Sequence, residues 1–325
     1  MNETISIVMC TCNGVRYLDE QLDSLLRQTY PFYELIVQDD RSTDYTVEII
    51  RFYQQKYPDR NIRLFVNPQR MGYNLNFLSA VQRATGKYIA YCDQDDIWFD
   101  NKLEVMMSEI GDAPMLACNS IKIDNNGKEC GMLHPSPLPS PYPVLYLLLC
   151  PYAAGHTLLF RSDVQSRLKL MMNSTIEVYE FVTQMVATTI APIRFIPTPL
   201  VYWRRHKHAA TRDLESNNRM FVRKYGRHKG YVKAIKMCSD TTVRRCISRY
   251  FTRLEQLSFY DDTARKMVHY LAKGTWSGFI RACMLCLRHH KRVEFQSKGV
   301  THYLRAFFRP LFFIRDISLS LNLFR

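Results

Sequence analysis

Tyr88-Ile89-Ala90-Tyr91-Cys92-Asp93-Gln94-Asp95-Asp96 is a short apolar run that ends abruptly in three carboxylates. An apolar run closed by a turn signal predicts a buried strand, and in an open α/β sheet ligands bind just beyond the carboxyl ends of such strands. Asp93, Asp95 and Asp96 are therefore expected at a ligand edge. Clustered carboxylates suit a hard divalent cation, and Mg²⁺ in particular is held by one or two carboxylates with substrate phosphates completing its shell. The same acidic turn also suits the N-cap of a following helix, for which Asp is a good residue.

Working outward, Glu34-Leu35-Ile36-Val37-Gln38 runs into Asp39-Asp40 and then Arg41-Ser42-Thr43-Asp44. A helical pattern begins near Thr46 with Val47, Ile49, Ile50 and Tyr53, so a second strand delivers a second acidic pair. The chain opens in the same way. Ile5 to Cys10 is apolar, Thr11-Cys12-Asn13-Gly14 is a turn, and Tyr17, Leu18, Leu22, Leu25 and Leu26 recur at helical spacing. Strand, polar turn and helix thus repeat along the first part of the chain, which predicts an α/β fold with a mostly parallel sheet flanked by crossover helices. The polar turns should fall along one edge.

Thr11 to Gly14, Gln28-Thr29-Tyr30, Glu34 to Asp40 with Ser42-Thr43-Asp44, Asn67 to Gly72, and Cys92 to Trp98 with Asn101-Lys102-Leu103 carry a resemblance in order and spacing. Together they resemble the family 2 glycosyltransferases of the GT-A, Rossmann-like fold, and within them the rhamnosyltransferase-like branch that builds bacterial surface polysaccharides. Gly155 to Phe160 looks like the family's acceptor-side strand, and Pro199 to His206 like its closing segment. The likeness covers residues 3–212, and its weight lies in several motifs agreeing in order.

The resemblance implies the rest of the site. Nucleobase and ribose of a nucleotide diphosphate sugar are expected against Thr11, Asn13 and Asp40, with Asp93 near the ribose. A carboxylate can accept a pyrimidine imide N–H, which gives Asp40 a physical reason to be there. Cys12 stands where the family usually has an aromatic residue. Asp95 is expected to bind Mg²⁺ or Mn²⁺, with His206 as a further ligand and Arg204 and Arg205 as diphosphate contacts. Charge that develops on a departing nucleoside diphosphate needs such partners. Glu180 is expected to be the base that deprotonates the acceptor hydroxyl, with Glu177, one helical turn away, as the alternative. The implied reaction is inverting, metal-dependent transfer to a glycan or lipid-linked acceptor. A noncatalytic sugar-nucleotide or phosphoglycan binding protein with the same fold is the alternative.

Charge divides the chain. Residues 1–200 hold 17 Lys/Arg and 22 Asp/Glu, whereas residues 201–325 hold 27 and 8. The expected organisation is a catalytic domain over 1–212 and a helical, basic region over 213–325. Such a basic block suits nucleic acid, an anionic membrane or a phosphorylated acceptor. Its arginines alternate with long apolar residues and match no nucleic-acid-binding pattern, so nucleic acid is not expected. In Tyr303 to Arg315, arginines break every apolar run before the roughly 20 residues a spanning helix needs. The expected placement is at a membrane surface with Phe and Leu inserted, or else docked on protein, including a second subunit. No basic and apolar leader precedes the first strand, so a cytoplasmic protein at the inner membrane face is expected. Ten cysteines, mostly inside apolar runs, read as reduced core thiols. Cys283, Cys286, His289 and His290 lack a separated second ligand pair and are read as core thiols and surface histidines. The prolines of residues 134–143 exclude regular structure and predict a loop.

Overall fold

A computed structural model of the chain describes residues 3–135, 138, 140–149, 153–172, 178–206, 232, 234–294 and 299–320, the last five by backbone alone. Strands β1 (Ile5–Thr11), β2 (Glu34–Asp39), β3 (Ile62–Val66) and β4 (Tyr88–Cys92) are parallel, in the spatial order β3-β2-β1-β4. Helices α1 (Leu18–Leu26), α2 (Thr46–Lys56) and α3 (Tyr73–Ala80) alternate with them. Every residue of β1, β2 and β4 is buried, the signature of strands covered on both faces. Thr11 pairs with Asp39 and Met9 with Cys92, so the turns after these strands line up along one edge.

The chain continues through β5 (Ile97–Trp98), α4 (Lys102–Ile110), β6 (Met115–Ile123), β7 (Glu129–Met132), α5 (Val144–Leu147), β8 (Leu158–Arg161), α6 (Ser162–Met171), α7 (Tyr179–Ile190) and β9 (Arg194–Arg204). The sheet extends past β4 as β8-β6-β9-β5, with β8 antiparallel to both β4 and β6. β9 contains Pro197 and Pro199, which donate no N–H, and its pairing with β6 shifts register around Asn119. Side chains alternate between two cores. Ile7, Met9, Leu35 and Cys92 pack with α1, α2 and α4 on one face, and Val8, Ile36 and Tyr91 pack with α3 and α7 on the other.

The basic part of the chain forms α8 (Thr241–Leu254), α9 (Asp262–Ala272), α10 (Trp276–Arg288), α11 (His290–Val293) and α12 (Val300–Ser320). Asp240, Asp261 and Thr275 cap the first three through side-chain acceptors. These helices share the Val8 and Ile36 core through Tyr250, Phe251, Phe279 and Ile314. The expected boundary at 212 lies outside the described residues. Of the proline-rich stretch, residues 136, 137 and 139 also lie outside, while Leu138 and Tyr142 are buried against the core.

Of the two placements expected for Tyr303 to Arg315, the buried side chains fit docking on the same chain. Leu311, Phe313 and Ile314 do not face outward for a bilayer; they are buried, and the Phe313 ring lies 5.7 Å from Phe181 and 5.8 Å from Phe251. The helical spacing that makes this segment amphipathic serves an apolar face supplied by the same chain. No described helix is long and apolar enough to cross a membrane. Cys283 and Cys286 are buried on the inner face of α10.

Candidate active site

The aligned turns open onto a cavity of about 420 Å³. Its walls come from the end of β1 (Thr11) and the turn after it (Cys12), from Asp40 and the Arg70–Phe77 segment, from the acidic turn after β4, and from Gly155, His156, Tyr179, Glu180, Trp203 and Arg204. Sheet edge, the segment leading into β8 and α7 thus meet at one opening.

The acidic turn caps no helix. β5 follows it directly, and Asp96 is drawn inward, where its Oδ1 accepts the Arg204 N–H at 3.0 Å. That bond ties the end of β9 to the turn. Asp96 Oδ2 is buried with no hydrogen-bond partner among the described residues, and it lies 3.7 Å from His156 Nδ1. Asp93 Oδ2 lies 3.6 Å from the same nitrogen. Asp93, Asp96 and His156 therefore offer three ligand atoms within 4.8 Å of one another. Oxygen plus imidazole donors, with one acceptor left unsatisfied, fit a divalent cation such as Mg²⁺ or Mn²⁺. Burial, then Asp95 and Asp93, push the Asp96 carboxyl well above its ordinary range, while burial pulls His156 down. A cation would relieve this crowding of negative charge. The His156 ring is braced by Ser120 Oγ at 3.1 Å, and its carbonyl by the buried Lys102 Nζ at 2.7 Å.

Asp95 lies beside this set and pairs with His206, Oδ2 to Nε2 at 2.6 Å. The two residues expected to share an ion are thus adjacent, though the three-atom donor group lies with Asp93, Asp96 and His156. Arg204 is committed elsewhere. It is buried, donates through Nε to the Asp95 carbonyl at 3.0 Å, pairs with Glu20 and lies 4.6 Å over the Tyr17 ring. Arg205 donates its backbone N–H to Ile123 and lies over Trp203. Arg70 was not singled out in the sequence. It lines the cavity with no hydrogen-bond or ion-pair partner among the described residues.

On the expected nucleotide side, Thr11 lines the cavity and donates to Asp39 at 2.8 Å. Asn13 lies outside this lining and is exposed, with φ +51°; its Oδ1 accepts the Thr43 N–H at 2.8 Å and so clasps the next turn. Asp40 already accepts from Asn67, from the Met71 N–H and from the Gly72 N–H, which leaves its Oδ2 the freer oxygen. Its side chain fixes the wall at 71–72 as well as lining the cavity. Gln94 holds the Cys12 turn by a two-way amide clasp of 2.9 and 3.2 Å, and a Cβ on Gly14 would meet it at 2.3 Å.

Glu180 sits in the first turn of α7, partly buried, with Oε2 unpartnered among the described residues. Burial, reinforced by Asp93, pushes its carboxyl up to about 7. Glu177 lies outside the described residues. Tyr179, given no role of its own in the sequence reading, stacks on Phe77 at 4.1 Å and reaches toward Asp93 at 3.5 Å. Gly155 makes room for it, since a Cβ there would meet the Tyr179 hydroxyl oxygen at 1.9 Å.

A family model described as glycosyl transferase family 2 matches residues 6–167. Among curated proteins, the Escherichia coli UDP-Glc:alpha-D-GlcNAc-diphosphoundecaprenol beta-1,3-glucosyltransferase WfgD is 38% identical over 104 residues, 32% of this chain and 40% of that protein. The putative teichuronic acid biosynthesis glycosyltransferase TuaG of Bacillus subtilis is 33% identical over 100 residues, 31% of this chain and 39% of that protein. The alignments thus span about two fifths of these relatives. In three dimensions the chain resembles S. aureus TarS 1–349 in complex with UDP, with a TM-score of 0.51, 16% identity and coverage of 91% of this chain and 94% of that one. It also resembles the mannosyltransferase PcManGT from Pyrobaculum calidifontis in complex with GDP-Man and Mn²⁺, with a TM-score of 0.52, 15% identity and coverage of 100% and 88%. These likenesses establish the shared fold. The family match runs from β1 into α6 and takes in the turns that wall the cavity, and residues 6–167 of the chain belong to glycosyl transferase family 2.

Proposed function

We propose that the chain transfers a sugar with inversion from a nucleotide diphosphate sugar to a hydroxyl of a glycan or lipid-linked acceptor, in the synthesis of a cell-surface polysaccharide. One juxtaposition carries the reading: a carboxyl with its pKa near 7, Glu180, and a carboxylate cluster, Asp93 and Asp95, line the same cavity. A general base works best when its pKa lies near the working pH. The acceptor oxygen attacks the anomeric carbon as its proton passes to Glu180, and the bond from that carbon to the nucleoside diphosphate breaks. Asp93, Asp96 and His156 would hold Mg²⁺ or Mn²⁺, with Asp95 and His206 as neighbouring donors. When bound, the cation supplies Lewis-acid charge against the departing diphosphate. Arg70 adds a flexible cation at the cavity wall, whereas Arg204 acts as a strut between β9 and the acidic turn. Thr11 and Asp40 face the nucleoside end. WfgD, whose name couples UDP-Glc to a diphosphoundecaprenol-linked acceptor, supports a donor and acceptor of these classes.

The test is a panel of nucleotide sugars scored by thermal shift with and without Mn²⁺. A donor that raises the melting temperature only with the metal supports the reading, because a ligand selective for the native state stabilises by mass action. Donor binding without turnover on any hydroxyl acceptor would favour a sugar-nucleotide binding protein.

A further inference from the structure

We propose that the outer face of α10, together with the basic corner at its start, is a docking surface for an anionic lipid bilayer. α10 is apolar on both sides. Phe279, Ala282, Cys283 and Cys286 are buried, yet Trp276, Ile280 and Met284 on the adjoining, outward side are 39%, 55% and 53% exposed. Their four-residue spacing draws a stripe of about 12 Å along the helix. Large exposed side chains in one row are informative in a way that a single exposed leucine is not. Arg281 and Arg288 are exposed on the same helix.

A second, independent feature adjoins the stripe. A cavity of about 310 Å³ lies between α8 and the turn leading into α10, lined by Arg244, Arg245, Ser248, Arg249, Lys273 and Gly274. Gly274 is only two residues before Trp276 and has φ +60°; a Cβ there would come 2.8 Å from Ser248 Cβ, so the turn is seated closely on α8. Arg244 donates to the carbonyls of Cys238 and Ser239 at 2.9 and 2.8 Å. Arg245, Arg249 and Lys273 have no carboxylate partner among the described residues. Three uncompensated cations around a small cavity suit the phosphate of a lipid headgroup. Beside it, the amphipathic indole of Trp276 is of the type that settles at a bilayer interface.

Charge selects the occupant. Residues 201–325 carry 27 basic and 8 acidic side chains, so a second copy would bring like charge against like. An anionic bilayer instead offers an opposite charge over an apolar interior. The surface is distinct from the buried apolar face of α12, and its test uses no transfer reaction, so it stands or falls apart from the proposed activity.

Flotation of the full chain compares phosphatidylcholine vesicles with and without phosphatidylglycerol. Binding only to the anionic vesicles is expected. Arg245→Ala with Arg249→Ala should weaken it by roughly fivefold per residue removed, and Ile280→Asp with Met284→Asp should abolish it. Brominated lipids should quench Trp276, and Trp276→Phe should remove that quenching while retaining binding. The altered side chains are solvent-exposed, and the arginine pair keeps the question open to refutation if the aspartate pair unfolds. Equal flotation of the wild type and both double variants overturns the proposal. So does a dimer that the aspartate pair converts to monomer with flotation unchanged. Stabilisation by inorganic phosphate through Arg245 and Arg249, without vesicle binding, would make the corner a soluble-anion site and also overturn it.

Discussion

Glu180 and Asp96 are both carboxyls pushed up chiefly by burial, and their different surroundings give separable outcomes. Glu180→Gln preserves shape and removes the proton acceptor, so turnover should fall by at least about a hundredfold while donor affinity barely changes. Single-turnover rates and donor titration separate the two. Because the Glu180 carboxyl is pushed up to about 7, the base is ionised only above that value, and kcat should rise with pH up to about 7 before levelling. A rate already flat from pH 5 would refute this assignment. The sign for stability is opposite. A raised folded-state pKa favours the native chain most at low pH, and that contribution is lost as pH climbs from the ordinary carboxylate range through about 7. Asp95→Asn should abolish metal-dependent transfer with an unchanged melting temperature. Asp96→Asn should keep an acceptor for the Arg204 N–H while relieving the crowding of carboxyls that pushes Asp96 up, so it should melt no lower than wild type yet lose stabilisation by Mn²⁺. An undiminished Mn²⁺ response in Asp96→Asn would move the ion to Asp95 and His206.

At the scale of elements, the approach of α7 to the loop before β8 depends on one missing side chain. Gly155→Ala would drive a methyl into the Tyr179 ring, which cannot retreat because Phe77 and Tyr91 pack against it at 4.1 and 5.1 Å. Overpacking of this kind costs about 1–3 kcal/mol, to be read by chemical denaturation. A variant as stable as wild type would mean that α7 can shift. The sequence announced the strands that begin this architecture. β1, β2 and β4 are uninterrupted apolar runs closed by polar turns, and a parallel sheet covered on both faces requires such runs. It did not announce how Asp96 is used. Asp93, Asp95 and Asp96 are equivalent as letters, and only the pairing of β9 with β5 and β6 brings the Arg204 N–H to Asp96 and leaves Asp95 to His206. His156 was visible within a motif, but its approach to the acidic turn arises from β8 running antiparallel to β4. Asn13 reads as a ligand-side turn residue because its clasp on Thr43 is a contact between turns far apart in sequence.

Across the whole molecule, the charge boundary visible in composition is not a boundary in the core. Ile314 and Phe313 near the end of the described chain belong to the same apolar cluster as Val8 and Ile36 at its beginning, joined through Phe181, Tyr250 and Phe251. Composition separates the halves because it counts surface charge, whereas folding joins them because each helix has one apolar face to bury. Phe313→Ala should therefore cost about 3–5 kcal/mol, the scale of an emptied aromatic site. The loss should appear throughout the chain. Fluorescence of Trp98 and Trp203, both in the sheet, and hydrogen exchange of α10 amides should report one shared transition, shifted together by the substitution. Removing residues from Val300 onward should abolish donor binding along with the fold, since α7 would lose the partner that supports Phe181 one residue beyond Glu180. Two separate transitions, or a truncated chain that binds donor normally, would show that the basic helices are an appendage and that the catalytic half folds without them.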